Sequence, residues 1–259
     1  MLDYTLSELK TIVDGLAVEL PLFYDSEVAP IRAILSLKDA GDMSILRGEE
    51  NRERFFKQIA VRGTKIVGLK QIHSKMVHLV EDLGFQSDSK NSKNLVEGDG
   101  LVASTGEFLL TVTVADCLPI WIIDRKRLMY AIVHSGWRGT GIVIEALELL
   151  RERLGSLREN LRVVIGPGVG RCCYSVDRGR YEYFRENFGE ASVEKFHGKF
   201  YLDLQAANLR LLRGYGIEDI VIIRDCTYCN TKLSSFRREG IENFGTMVAV
   251  IGRNEKFIL

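Results

Sequence analysis

His73 in KQIHS, Cys117 in VTVADCLPIW and His134 in AIVHSGWRG each end an apolar run, and all three are good ligands for borderline or soft metal ions. Two imidazoles and one thiolate suit zinc or copper, and three protein ligands leave a fourth position for water or substrate. That open position is what separates a catalytic centre from a structural one. None of the three sits in a short C-x-x-C or H-x-x-x-H clip, so no spacing motif ties them together. Each also has an ordinary structural alternative: a half-buried histidine at a strand end, or a cysteine packed as a small hydrophobe. The stretch PIWIIDRKRLMYAIV between Cys117 and His134 reads as two apolar strands joined at the charged turn DRKR, and a hairpin brings its two ends together. A metal-free reading fits the same pair: Cys117 as nucleophile, His134 as base, and backbone N–H groups of the G-W-R-G turn as an oxyanion hole.

Charged and glycine-bearing segments supply the candidate substrate contacts. HSGWRGTG runs into the helical pattern IVIEALELL, so a helix N-terminus faces the end of the His134 strand and suits an anion. IGPGVGRCC resembles a phosphate loop only superficially, because it lacks the Lys-Ser/Thr pair, and reads as a tight turn. SSFRREG offers Arg237 and Arg238, and Arg52 falls in the first turns of a helix, although isolated arginines are commonly solvated. Cys226 and Cys229 form C-T-Y-C without a partner C-x-x-C or a redox context, and Cys172 and Cys173 are adjacent. All four read as structural.

The elements that must position these residues alternate along the chain. TLSELKTIVDGL and EENRERFFKQIAVRG read as helices, followed by a strand-rich block of KIVGLKQIH, MVHLVEDL, GLVAS, FLLTVTVAD, PIWIID and LMYAIVH. Such a block suits sheets covered on both faces. Beyond it come a helix closed by Gly155, the strand LRVVIG, the helices DRGRYEYFRENFG and DLQAANLRLLRGYG (the latter capped by Asp203), and the strands DIVIIRD and TMVAVIG. The fold class is therefore mixed α/β or α+β in layers, without a repeat or a linker marking a second domain. The polar stretch 85–94, FQSDSKNSKN, reads as a mobile surface loop and a candidate lid.

The 259 residues suffice for a substantial core, and 46% apolar with 27% charged residues is ordinary globular composition. Lys+Arg and Asp+Glu are both 35, so no nucleic-acid or membrane-surface partner is expected. No apolar run suits a transmembrane helix, and the start MLDYTLSELK does not read as a secretory signal. With an odd count of five cysteines, this favours a reducing, cytoplasmic location.

In order along the chain, QIHS, GDGLVAS…TVTVADCLP, HSGWRGT, IGPGVGRCCYSV, DLQAANLRLL, DCTYC and SSFRR resemble the signature blocks of the laccase-domain family. This family is also called polyphenol-oxidase-like, purine nucleoside phosphorylase-type or peptidoglycan-editing-factor-like. The resemblance spans roughly residues 31–252, with about the first 30 residues outside it, and implies a single laccase-type domain over 1–259. It implies an α-β-β-α layered sandwich with mixed sheets and a single zinc held by His73, Cys117 and His134. It further implies phosphorolysis of adenosine, inosine, guanosine and methylthioadenosine, so that purine nucleoside and phosphate are the partners, together with adenosine deamination. Older naming implies copper-dependent phenol oxidation, and some members are linked to editing of peptidoglycan precursors.

Three positions depart from the family pattern. Lys38 stands where an arginine is common, keeping the charge but losing the bidentate fork; Ser135 replaces an alanine; and Gly245-Thr246 stands where Gly-Arg is frequent. Phosphorolysis needs a bound phosphate beneath the anomeric carbon and neutralisation of charge, for which Arg138, Arg237, Arg52 and Lys38 are the candidates. Deamination would instead need a metal-activated water and a proton shuttle, for which Asp99 and Asp116 are nearest by motif. Asp116 is the stronger candidate for orienting a ligand histidine instead. The alternative enzyme is the metal-free Cys-His hydrolase, acting on an amide or a peptidoglycan precursor. Copper oxidation is disfavoured, because several copper centres cannot be built from four histidines.

Overall fold

Long β-branched and aromatic runs with apolar residues on both faces force strands that are covered on both sides, and the chain builds two such sheets. The computed structural model describes residues 1–22, 31–60, 63–87 and 95–253. Its strands are β1 (Leu2–Tyr4), β2 (Lys10–Ile12), β3 (Ala17–Glu19), β4 (Ile31–Ser36), β5 (Lys65–Val67), β6 (Val77–Leu79), β7 (Gly100–Ala103) and β8 (Phe108–Val114). There follow β9 (Leu118–Asp124), β10 (Tyr130–Ser135), β11 (Leu161–Ile165), β12 (Ser175–Val176), β13 (Val193–Phe196), β14 (Lys199–Leu202), β15 (Asp219–Ile223) and β16 (Met247–Arg253). The helices are α1 (Glu49–Ile59), α2 (Ile142–Leu154), α3 (Arg178–Phe188), α4 (Leu204–Tyr215) and the single turn α5 (Phe236–Glu239).

A seven-stranded mixed sheet has the order β1-β15-β11-β9-β10-β7-β6, a six-stranded mixed sheet the order β2-β3-β4-β16-β8-β5, and β12-β14-β13 form a small third sheet. The two large sheets face each other. On β9, Trp121 and Ile123 enter the core between them, where they meet Leu35, Leu110, Met247 and Ala249. The alternate residues Leu118, Ile120 and Ile122 join the core beneath α2, α3 and α4. On β16 the odd-numbered Met247, Ala249 and Ile251 point to the inter-sheet core, while Val248 and Val250 meet Phe55, Phe56 and Ile59 of α1. The layers are thus α1, six-stranded sheet, seven-stranded sheet and the α2–α4 group, which is the layered α-β-β-α arrangement expected. Trp121 is fully buried, and its indole N–H donates to Val250 O at 2.9 Å, tying the two sheets by a hydrogen bond as well as by packing.

Most expected elements form with shifts of a residue or two, but of KIVGLKQIH only Lys65–Val67 is strand, and of MVHLVEDL only Val77–Leu79, the residues after it entering the 3-10 helix Val80–Ser87. Asp203 caps α4 by accepting from Ala206 N at 2.8 Å. The N-terminal segment differs. TLSELKTIVDGL is not a helix but one 3-10 turn, Leu6–Glu8, followed by the β2–β3 hairpin. The Thr5 and Glu8 capping pair closes a single turn, and Val13 and Asp14 adopt positive φ of 55° and 52°, turning the chain so that β3 folds back onto β2 while its other edge pairs with β4. Sheet pairing outweighs the helical spacing here. The stretch expected as a loop at 85–94 begins inside a 3-10 helix, Val80–Ser87, and from residue 88 onward lies outside the described residues. Among the described residues, no helix is long and apolar enough to cross a membrane.

Candidate metal centre and cavity

β9 and β10 form the expected antiparallel hairpin, with His134 opposite Pro119 and Ser135 opposite Leu118. That register puts the turn from β8 to β9, which carries Cys117, beside the end of β10. Gly136 follows directly, and a Cβ there would lie 2.8 Å from Cys117 Sγ and 3.4 Å from His73 Cδ2. The backbone passes so close to the ligand set that only glycine fits.

His73 comes from the loop between β5 and β6 and has a φ of +60°, a conformation that needs outside support. Asp99, fully buried just before β7, gives that support. Its carboxylate accepts from the backbone N–H of Ile72, His73 and Ser74 at 3.3, 3.0 and 2.6 Å, and from Ser74 Oγ at 2.8 Å. It also bonds His134 Nδ1 at 2.9 Å. One carboxylate therefore fixes the loop bearing one histidine and the ring orientation of the other, leaving Nε2 of His134 for a ligand. Burial opposes its charge, but the hydrogen bonds from His134 and Ser74 prevail and hold the Asp99 pKa down at about 2.

The result is a convergent set in which the ligand atoms of His73, Cys117 and His134 all lie within 4.8 Å of one another. The two imidazole rings meet edge-on, with centroids 4.9 Å apart. His73 sits at the rim, Cys117 is half-buried and His134 is buried. Burial alone would raise the Cys117 thiol, yet the adjoining His134 and His73 bring it down to about 6. Burial alone would likewise lower His134, but Cys117 and Asp99 lift it to about 9. The pair thus favours thiolate beside imidazolium. A metal cation in place of the shared proton suits this donor set, since zinc takes thiolate sulfur at about 2.3 Å and imidazole nitrogen at about 2.0–2.1 Å. The residues fit a zinc ion with a position left open.

These three side chains open into a cavity of about 590 Å³ lined also by Gln71, Asp116, Trp137, Tyr174, Arg180, Phe236, Arg237, Phe244 and Thr246. Asp116, at φ +86°, accepts from Thr227 Oγ1 at 2.6 Å and from Arg237 N at 2.7 Å. Its carboxylate orients the arginine turn rather than a ligand histidine. That orienting role belongs to Asp99, the reverse of the sequence expectation. The guanidinium of Arg180 stacks 4.3 Å from the Trp137 ring, and that of Arg237 lies 5.0 Å from the Tyr174 ring. Burial first, then the Cys117 charge, pushes the Tyr174 hydroxyl up to about 12, so it stays protonated.

The other expected arginine and lysine contacts lie elsewhere. Arg138 is exposed, 5.1 Å from the same Trp137 ring, and neither it nor residues 139–143 at the start of α2 line the cavity. Arg52 is buried in α1, donating to Met43 O at 2.8 Å, with its guanidinium 5.1 Å from the Phe56 ring. Lys38 pairs with Glu239 at 2.7 Å. Arg238 wraps the carbonyls of Thr227, Tyr228, Asn230 and Leu233 and holds that segment together. Arg180 was not singled out by the sequence, because RGRYEYF reads only as the polar start of a helix. Thr246, one of the departures from the family pattern, does line the cavity.

The family described as multi-copper polyphenol oxidoreductase laccase matches residues 39–254. A Borreliella burgdorferi protein named purine nucleoside phosphorylase is 30% identical over 226 residues, covering 85% of this chain and 93% of that protein. The Geobacillus stearothermophilus protein named purine nucleoside phosphorylase YlmD is 30% identical over 216 residues, 80% of this chain and 79% of that protein. Among solved structures, the Bacillus licheniformis hypothetical protein YfiH superposes with a TM-score of 0.79 at 26% identity, covering 86% of this chain and 93% of that one.

Proposed function

The chain belongs to the multi-copper polyphenol oxidoreductase laccase family, and from that premise we propose that it is a zinc-dependent purine nucleoside phosphorylase. Its proposed substrates are adenosine, inosine, guanosine and methylthioadenosine together with phosphate. The observation that carries this reading is the junction of a three-ligand His₂Cys set with a cavity bearing two guanidinium groups and several aromatic rings. A cavity of about 590 Å³ lies within the range typical of small-molecule sites. The family's descriptive name is a poor guide to this chain. Of its four histidines, His78 bonds Glu97 O and His197 packs against Phe196, so two remain for metal at the site, too few for several copper centres.

In this reading a zinc ion held by His73, Cys117 and His134 supplies Lewis acidity beside the reaction centre. The chain's own residues do the rest. Arg180 and Arg237, already flattened against Trp137 and Tyr174, hold the phosphate with little further loss of side-chain freedom. Phe236 and Phe244, packed edge-on at 4.9 Å, offer an apolar wall for the purine and exclude water. As phosphate oxygen bonds to the anomeric carbon, the glycosidic bond to nitrogen breaks and its electron pair passes to the purine. Asp116 is the carboxylate within the cavity able to exchange a proton with that ring. Asp99 is committed to five hydrogen bonds and acts by positioning.

Arg180→Ala and Arg237→Ala should each raise the phosphate KM by roughly 10–100-fold, since charge-assisted hydrogen bonds contribute about 1.5–3 kcal/mol. Metal content should not change, and Arg138→Ala should have a much smaller effect. Steady-state kinetics at varied phosphate checks this, and an unchanged KM in both cavity variants would remove phosphate from the proposed site.

One observation favours a second reading. The thiolate–imidazolium pair of Cys117 and His134, with Asp99 on Nδ1, is also the arrangement of a cysteine hydrolase. A dyad has no use for His73 on the same sulfur. It would ignore chelators and be alkylated rapidly at Cys117, whereas a metal-bound thiolate reacts slowly until the metal is stripped.

A further inference from the structure

The four cysteines that the cavity does not use are brought together by the topology. β11 and β15 are parallel neighbours, so the turns after them lie side by side; one carries Cys172 and Cys173, the other Cys226 and Cys229. A bridge joins Gly168 to Cys226, Thr227 N donates to Gly168 O at 3.0 Å, and Gly170 N donates to Cys226 Sγ at 3.2 Å. All four sulfur atoms lie within 4.8 Å of one another, with Cys172 to Cys229 at 3.8 Å and Cys173 to Cys229 at 3.4 Å. A disulfide requires about 2.05 Å, so these are four separate thiols.

Their chemistry is that of an incomplete coordination shell. Burial opposes a charge on Cys226, but backbone N–H groups of Gly170, Cys229 and Tyr228 turn toward its sulfur and lower its pKa, as amides do around a metal-bound thiolate. Burial, opposed by Cys173 but aided by Cys226 and Cys229, pushes Cys172 up to about 11, and burial with the neighbouring sulfurs takes Cys173 higher still. Four sulfur atoms converging within 4.8 Å of one another are the donor set of a tetrahedral thiolate site. The residues are set on two turns rather than in paired C-x-x-C clips, which is why the sequence hides the group.

We propose that Cys172, Cys173, Cys226 and Cys229 bind a second zinc ion in a closed four-thiolate site, separate from the cavity, that fastens these two turns together. Four thiolates in tetrahedral array suit zinc and leave no open position, so the site is structural. Its position gives it a purpose. The first turn supplies Val169 and Tyr174 to the cavity wall, and the second leads through Thr227, which holds Asp116, to Phe236 and Arg237. Closing the long loop between them with a metal clip restricts the unfolded chain and fixes the arginine wall.

Elemental analysis of protein purified under reducing conditions should find two zinc ions per chain. One should remain in Cys117→Ala, one in the Cys226→Ser/Cys229→Ser double variant, and none when all three substitutions are combined. The Cys117→Ala protein, exchanged into cobalt(II), should show the intense visible bands and near-ultraviolet thiolate charge transfer of a tetrahedral four-sulfur site. Should the double variant fail to fold, the native protein decides: the four cysteines should resist alkylation, mapped by mass spectrometry, until a chelator is added. Equal alkylation with and without chelator, no metal in Cys117→Ala, or an intact-mass loss showing a disulfide among the four would each overturn the proposal. None of these readouts depends on nucleoside turnover.

Discussion

Cys117→Ala should remove one equivalent of metal per chain and lower nucleoside phosphorolysis by about a thousandfold or more. The substitution deletes the one anionic ligand, leaving His73 and His134 as two neutral donors on separate elements. Two such donors do not make a competent site for zinc in competition with water. A catalytic metal stabilises charge developing at the reaction centre by several kcal/mol, and each 1.36 kcal/mol is about tenfold in rate. The fold itself should persist, because alanine is small and Cys117 is only half-buried at a turn. Metal analysis and turnover, measured on protein whose circular dichroism matches the native spectrum, check the result together. Retention of the metal with loss of activity would instead mark Cys117 as a nucleophile.

Asp99→Ala should weaken zinc binding at the cavity by roughly 10–100-fold and also destabilise the protein, although Asp99 does not line the cavity. The carboxylate is fully buried, and its loss orphans the amides of Ile72, His73 and Ser74 as well as His134 Nδ1. Each buried group left unpaired costs about 1–3 kcal/mol. The positive φ of His73 then lacks its restraint, and the imidazole is free to leave the set. Competition with a chromophoric chelator reads the affinity, and urea titration of the metal-free protein reads the stability. Asp116→Asn should behave differently, keeping the metal while depressing turnover. Equal metal affinity in Asp99→Ala and the native protein would refute the positioning role.

The convergence of His73, Cys117 and His134 was legible because each ends an apolar run in the sequence, although the structure sets His73 in the loop beyond β5 and Cys117 in the turn after β8, and the PIWIID–LMYAIV hairpin joins two of them. Their supports were less so. Asp99 and Asp116 are both acidic residues beside a glycine or a ligand, and only the register of β7 against β10, with His134 N donating to Asp99 O at 2.7 Å, decides which carboxylate meets which imidazole. Arg180 enters the cavity because α3 lies against the wall bearing Trp137, a tertiary fact with no local signature. Arg52 illustrates the converse: its place in an amphipathic helix suggested an exposed contact, but the burial of α1 turned it to the Met43 carbonyl. Local spacing also misled at TLSELKTIVDGL, where pairing with β3, itself held by β4, recruits the segment into a sheet.

Whether the chain cleaves nucleosides with phosphate is decided by incubating the zinc-loaded protein with adenosine, with and without phosphate, and identifying the products by chromatography. Adenine and ribose 1-phosphate should form in equal amounts, only when phosphate is present, and their formation should be abolished by chelation and restored by zinc. Inosine formed without phosphate as the sole product would show deamination instead, and an adenosine pool untouched under every condition would contradict the phosphorylase account altogether.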